Sequence, residues 1–158
     1  MDYTDTDYYT AAIERLQDFK HLSKEQDRII FTVYSAGVAI ECMLRAYILK
    51  YNPMFDSKHD LENLLIDSKL TTLFDEGNKK EQKEREAIIV AIKQAKKVWN
   101  NNLRYYSEKR LKRQFGHEMA NTKHKDINKY FFYKCSELFN ATHLITEIGI
   151  AKWNYLKK

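Results

Sequence analysis

Residues 23–50, SKEQDRIIFTVYSAGVAIECMLRAYILK, decide the fold. Ser23 followed three residues later by Gln26 is the capping-box pattern, which predicts that a second helix of the chain begins here. The residues that follow are apolar nearly all round the helix, which is typical of a helix at the centre of a bundle or against a partner subunit. Pro53 cannot continue the helix, so the helix is expected to end near residue 50.

The rest of the chain predicts one all-helical domain over residues 1–158. A length of 158 residues suits a single domain, and four glycines with one proline are too few for the many turns of a sandwich or barrel. No charge-free apolar run approaches the roughly 20 residues of a membrane span, and the acidic first residues do not resemble a signal peptide. A cytoplasmic protein is therefore expected. The other helices are predicted at residues 6–22, from Ser57, at 80–99 and from Asp126 to about 155.

Positive charge is concentrated in residues 93–125, and residues 100–125 are also predicted to be the least regular part of the chain. The whole chain carries a formal net charge of +5. This segment alone has ten Lys or Arg and two Glu, an excess of eight, so the remainder is slightly acidic. Such a segment indicates either a surface for a polyanion such as RNA or a solvated, lysine-rich surface.

Two blocks resemble the HEPN family of helical domains. Residues 34–47, YSAGVAIECMLRAY, are similar to the central helix of that family, and residues 58–65, KHDLENLL, are similar to the loop and helix that follow it. Trp99 with Arg104-Tyr105 ahead of a last long helix resembles one branch of the family. The resemblance covers about residues 8–155. It implies an up-and-down bundle of four to six helices, usually a homodimer, tied to RNA cleavage or to a nucleotidyltransferase partner.

Four residues of these blocks have a structural interpretation, and three of them also have a functional one. Gly37 permits close approach of a neighbouring helix, which would explain a glycine that costs about 1 kcal/mol in mid-helix. Glu41 needs a cation in its apolar surroundings, and Arg45 is the natural i,i+4 partner. The pair either fixes helix register or lines an RNA cleft. His59 either closes its loop by hydrogen bonding or points into the central groove.

The family resemblance implies a nuclease motif of Arg, four to six residues, then His. Arg110 and His117 have six residues between them, but Leu111 replaces the usual polar residue after the arginine. Arg104 is the more family-like arginine, yet no histidine follows it within six residues. In such a motif, Arg stabilises charge on the phosphate and His moves a proton, without a metal or cofactor. The segment is therefore either a metal-independent endoribonuclease site or a basic helix with an incidental His117.

Aromatic residues interleaved with the cations suit stacking on unpaired bases, or equally ordinary packing under a loop. These residues are Tyr105, Tyr106 and Phe115. The cysteines, Cys42 and Cys135, are expected to be buried reduced thiols, and no metal-ligand spacing is present. The residues predicted to contact RNA or nucleotide are Glu41, Arg45, His59, Arg104, Tyr105, Tyr106, Lys109 and Arg113.

Three hypotheses about function follow from these residues and the resemblance. The first is a homodimer that binds or cleaves RNA in a prokaryotic defence or toxin–antitoxin setting. The second is a non-catalytic module that presents nucleotide or a modifiable tyrosine to a minimal nucleotidyltransferase. The third is a purely structural helical dimer, for which the basic segment would show no salt-sensitive RNA binding.

Overall fold

The fold is a bundle of six α-helices, seen in a computed structural model that describes residues 3–25, 28–55 and 59–156. Two 3₁₀ turns, Leu70–Leu73 and Asn101–Tyr105, lie between helices, and no strand occurs in these described ranges. The prediction of an all-helical bundle is confirmed. The helices are α1 (Asp5–Leu22), α2 (Ile29–Tyr51), α3 (Leu61–Ser68), α4 (Lys79–Val98), α5 (Glu108–Met119) and α6 (Ile127–Leu156).

Helix α2 is the centre of the bundle. It packs against α1, α3, α6 and the 3₁₀ turn Asn101–Tyr105, and 14 of its 23 residues are buried. Its length and composition alone would allow it to cross a membrane, but 72% of the apolar window is buried inside the bundle. Burial of this extent is what the core helix of a helical domain requires.

Side-chain contacts fix the directions of the long helices. Thr142 of α6 donates to the Ala36 carbonyl at 3.2 Å, and Tyr47 donates to the Gly149 carbonyl at 2.6 Å, so α2 and α6 run parallel. Helix α4 is antiparallel to α6, because a 2.7 Å ion pair joins Glu81 in the first turn of α4 to Lys152 near the end of α6. Helices α1 and α2 form a hairpin and are therefore antiparallel.

Gly37 permits the close approach that its position predicts, but a side chain rather than a helix fills the space. A Cβ atom on Gly37 would lie 2.0 Å from Cδ1 of Trp99. The Trp99 indole is buried, and its Nε1 donates to the Tyr34 carbonyl at 3.2 Å. This contact attaches the start of the basic segment to the central helix.

The structure corrects where two helices begin. Ser23 does not cap α2. It ends α1, because its hydroxyl donates to the Lys20 carbonyl at 3.0 Å, and α2 begins only at Ile29. Helix α3 is capped by Asp60, whose carboxylate accepts from two backbone N–H groups. Gln26 and Ser57, the other residues predicted to act in capping, lie outside the described residues.

Residues 100–125 are more regular than predicted, because they contain α5. The Ser107 hydroxyl accepts from the Arg110 N–H at the start of this helix. Leu111 and Phe115, one turn apart, are buried against α6 and hold the helix in place. Asp126, the predicted start of the last helix, caps α6, since its carboxylate accepts from the N–H groups of residues 128 and 129.

Candidate nucleic-acid interface

The outer side of α5 carries four basic or titratable side chains. Leu111 and Phe115 are buried on the opposite side of the helix, which packs on α6. Residues three, four and seven apart share a side of a helix, so the polar residues of α5 collect on its solvent side. We call this surface the α5 face; its members, all exposed, are Lys109, Arg110, Arg113 and His117.

Within the part of the chain that the structure describes, most of the positive charge of residues 93–125 has no carboxylate partner. Lys96 lies 2.8 Å from Asp60 and 2.6 Å from Glu62, and Lys112 lies 2.6 Å from Glu108. The other eight of the ten Lys and Arg residues have no carboxylate within 4 Å in the described parts of the chain. The positive potential of these eight residues can therefore attract an external polyanion.

Two tyrosines contact the arginines of this region. The Arg104 guanidinium lies 4.8 Å from the ring centre of Tyr105, and the Arg110 guanidinium lies 4.3 Å from that of Tyr106. Tyr105 is 70% exposed, whereas Tyr106 is half-buried. For Phe115 the packing interpretation holds and the stacking interpretation does not, because that ring is in the core beside Tyr130 and Phe131.

Glu41, Arg45 and His59 are brought together beside α2. One oxygen of Glu41, Oε1, lies 2.8 Å from Arg45 Nε and 2.9 Å from His59 Nδ1. The predicted i,i+4 pair and the predicted hydrogen bond from the loop histidine are both confirmed. Glu41 and Arg45 are only 8% and 4% exposed, and the Arg45 guanidinium lies 5.8 Å from the ring centres of both Tyr8 and Phe55. This burial favours the structural interpretation of the pair, while the half-exposed His59 ring remains accessible.

The two predicted groups are connected through the start of α3. Asp60 follows His59 and holds Lys96 of α4, so the Glu41 cluster and the first cations of the basic segment share one framework. Arg104 and Tyr105 lie on the 3₁₀ turn Asn101–Tyr105, which packs on α2. The α5 face lies on a separate helix that packs on α6.

The two thiols are poor nucleophiles. Burial raises the pKa of Cys135 to about 12, and burial together with the neighbouring Glu41 raises the pKa of Cys42 to about 11. Both therefore remain protonated near neutral pH, where only the thiolate is reactive. Among the described residues, no group of three or more His, Cys, Asp or Glu side chains is arranged to hold a metal ion.

A concavity of about 640 Å³ lies away from every residue predicted to act on RNA. It is formed by the segment after α3, the start of α4 and the end of α6. Lys152 in its wall is already paired with Glu81 and lies 4.5 Å from the ring centre of Phe74. The lysine in the wall of this concavity therefore already has a carboxylate partner within the protein.

One group of aromatic side chains was missed by the sequence analysis. His124 of the loop between α5 and α6 packs on Tyr130 and Tyr133 of α6, with ring centres 5.0 and 5.6 Å apart. The available signal was the spacing of the two tyrosines, which places them on adjoining sides of one helix turn. The spacing does not reveal that the loop folds back over them.

No family model, curated protein or solved structure matches the chain at a significant level. The HEPN resemblance therefore stays a prediction that rests on the quoted residues.

Proposed function

We propose that this chain is an RNA-binding helical domain of the HEPN type, in which the α5 face holds the phosphate backbone. The observation that carries the proposal is the set of eight cations in residues 93–125 that have no carboxylate partner among the described residues. Lys and Arg on one side of a helix suit phosphate oxygens, and exposed Tyr105 beside Arg104 suits an unpaired base. A cytoplasmic homodimer in a prokaryotic defence or toxin–antitoxin system is part of the same proposal.

Binding of RNA is expected to fall steeply with salt and to depend on the α5 face. Replacing Lys109, Arg110 and Arg113 with glutamine should make the negative slope of log affinity against log salt shallower by about 2. Each phosphate contact on a single strand contributes about 0.7 to the magnitude of that slope. Fluorescence anisotropy with a labelled single-stranded RNA at several salt concentrations measures the slope.

A matched control removes the same charge elsewhere. Glutamine at Lys79, Lys80 and Lys83 also removes three exposed cations, from the first turns of α4. This variant should keep nearly the full slope. An equal loss of slope in both variants would show that binding depends on net charge alone and not on the α5 face.

We further propose that Arg110 and His117 cleave the bound RNA when two copies of the chain pair. The two residues are seven apart, so they share the exposed side of α5 with a rise of about 10 Å between them. The 2′-oxygen would attack phosphorus and the bond to the 5′-oxygen would break, leaving a cyclic phosphate. One His117 would take the 2′-hydroxyl proton, the second copy's would protonate the 5′-oxygen, and Arg110 would stabilise the charge on phosphorus.

Cleavage is expected to stop in His117→Ala. RNA incubated with the wild-type protein without added metal should give fragments, and the loss of acid–base catalysis should slow their formation by about 100-fold or more. Gel analysis of end-labelled RNA measures the rate. His21→Ala, which removes an exposed histidine of α1, is the control and should cleave normally. Equal cleavage by wild type and His117→Ala would exclude His117 from the mechanism.

The exposure of Tyr105 favours a second candidate function, as the acceptor of a nucleotidyl group from a partner enzyme. Its hydroxyl-bearing ring is 70% exposed beside Arg104, which suits the phosphate of an incoming nucleotide. Co-expression with a nucleotidyltransferase encoded by a neighbouring gene should add nucleotide mass to a peptide containing Tyr105. Tyr105→Phe should abolish that addition, while Tyr155→Phe, which changes another exposed tyrosine, should retain it. Unmodified wild-type protein in that experiment would contradict this function.

A further inference from the structure

We propose that His124, Tyr130 and Tyr133 form a platform on which an unpaired RNA base stacks, so that the ligand of this protein is single-stranded RNA. The inference rests on the proposed function, because it concerns the same basic surface. It goes further in naming the class of RNA and a second contact region for it. We call the three residues the stacking platform.

The platform is built on a buried floor. Tyr130 is buried and lies against Phe115 of α5, with ring centres 6.5 Å apart. The His124 ring lies over this floor and is stacked with Tyr133 at an interplanar angle of 26°. The ring planes of Tyr130 and Tyr133 differ by 30°. The Tyr133 ring is therefore within 30° of the planes of both other rings, which are tilted by 47° to each other. A near-parallel pair of this kind favours stacking of a further ring.

The platform is held in place before any ligand arrives. The Tyr133 hydroxyl donates to Glu137 Oε1 at 3.0 Å, and Lys134 Nζ lies 2.9 Å from the other oxygen of the same carboxylate. The negative charge of Glu137 is thereby compensated by Lys134, so it opposes an approaching phosphate only weakly. A ring that is already oriented loses little conformational entropy on binding.

The surroundings of the platform match a nucleic acid better than an apolar partner. Tyr133 is 49% exposed and the adjacent Phe132 is 58% exposed. Exposed lysines flank His124 in the chain, at positions 123 and 125, and a third lies one turn before Tyr133, at position 129. No carboxylate in the described residues is paired with any of the three. Aromatic rings among unpaired cations are the combination that binds single strands, with stacking supplied by the rings and phosphate contacts by the cations.

The loop after α5 joins the platform to the helix that carries the α5 face. Helix α5 ends at Met119, and the loop that carries His124 leads directly into α6. His117 lies in the last turn of α5, so a strand lying along that face would pass next to the loop. Bases of a duplex are already paired and stacked, so they cannot use the platform without unpairing.

The test compares single-stranded RNA with a duplex of the same sequence, using Tyr133→Leu, His124→Ala and Tyr133→Phe. Because stacking contributes about 1–3 kcal/mol per base, Tyr133→Leu should weaken binding of the single strand by about 5- to 150-fold with an unchanged salt slope. Tyr133→Phe keeps the ring and should retain most of the affinity. His124→Ala should also weaken binding of the single strand. Duplex binding should change less than twofold in all three.

Tyr155→Leu serves as the matched control, since it removes an exposed ring at the far end of α6. Tyr133 is half-exposed, so its variants are expected to fold, which circular dichroism checks. Salt-sensitive binding of the single strand that is unaltered in Tyr133→Leu and His124→Ala would overturn the platform and leave the proposed function intact. Equal losses for single strand and duplex would also overturn it. No salt-sensitive binding by the wild type would overturn both.

Discussion

Replacing Gly37 with alanine is expected to lower the free energy of unfolding by about 3 kcal/mol. The new Cβ would lie 2.0 Å from Trp99 Cδ1 and 2.2 Å from Trp99 Nε1, so the indole has to leave its site on α2. That movement breaks the hydrogen bond from Trp99 to the Tyr34 carbonyl and exposes a buried ring. Thermal unfolding should show a midpoint about 9 °C lower, at about 2–4 °C per kcal/mol for a domain of this size.

The other helical glycines provide internal controls for this effect. A Cβ on Gly116 would meet only Ile127 Cδ1 at 3.9 Å, so Gly116→Ala should stabilise the protein by up to about 1 kcal/mol through helix propensity alone. A Cβ on Gly149 would lie 2.7 Å from Met43 Cγ, part of a flexible side chain that can shift, so Gly149→Ala should fall between the two. A stable Gly37→Ala protein with unchanged tryptophan fluorescence would contradict the packing of Trp99 described above.

Replacing Glu41 with leucine should also cost about 3 kcal/mol of stability. The substitution removes the carboxylate that Arg45 and His59 share, and the arginine is buried. Removing one partner of a buried ion pair typically costs about 3–5 kcal/mol, because the remaining charge stays in poorly solvated surroundings. Urea unfolding of the variant measures the loss.

Two comparisons separate this effect from a general loss of charge. Combining Glu41→Leu with Arg45→Met should recover much of the stability, because it replaces the pair with apolar side chains. Asp18→Asn breaks the exposed pair with Arg15, which has a similar distance of 2.8 Å, and should cost less than about 1 kcal/mol. A loss in Glu41→Leu as small as that of Asp18→Asn would show that the Glu41 cluster contributes little to the fold.

Local patterns predicted the parts of the site that lie within one helix turn. Glu41 and Arg45 pair at i,i+4 because α2 alone fixes their separation. Asp126 caps α6 for the same local reason. Ser23 shows the limit of such patterns, since a serine near a helix terminus can bond to the preceding helix as readily as to the following one.

Contacts between distant segments were beyond local patterns. The sequence indicated that something approaches Gly37 closely, but the hydrogen bond between Trp99 and Tyr34 joins residues 65 apart. The bounds of helix α5 were not predicted because its apolar pair, Leu111 and Phe115, is short and surrounded by cations, and packing on α6 completes it. His124 joins the tyrosines of α6 only because its loop turns back, which no spacing predicts.

The parallel arrangement of α2 and α6 bears on how the chain folds. The two hydrogen bonds that join them connect residues 102 and 106 positions apart. Closing such a long loop costs more entropy than closing the α1–α2 or the α5–α6 hairpin. We therefore expect both hairpins to form early and the α2–α6 contact late, so that α2, the most apolar helix, is exposed to chaperones until the last helix has been synthesised.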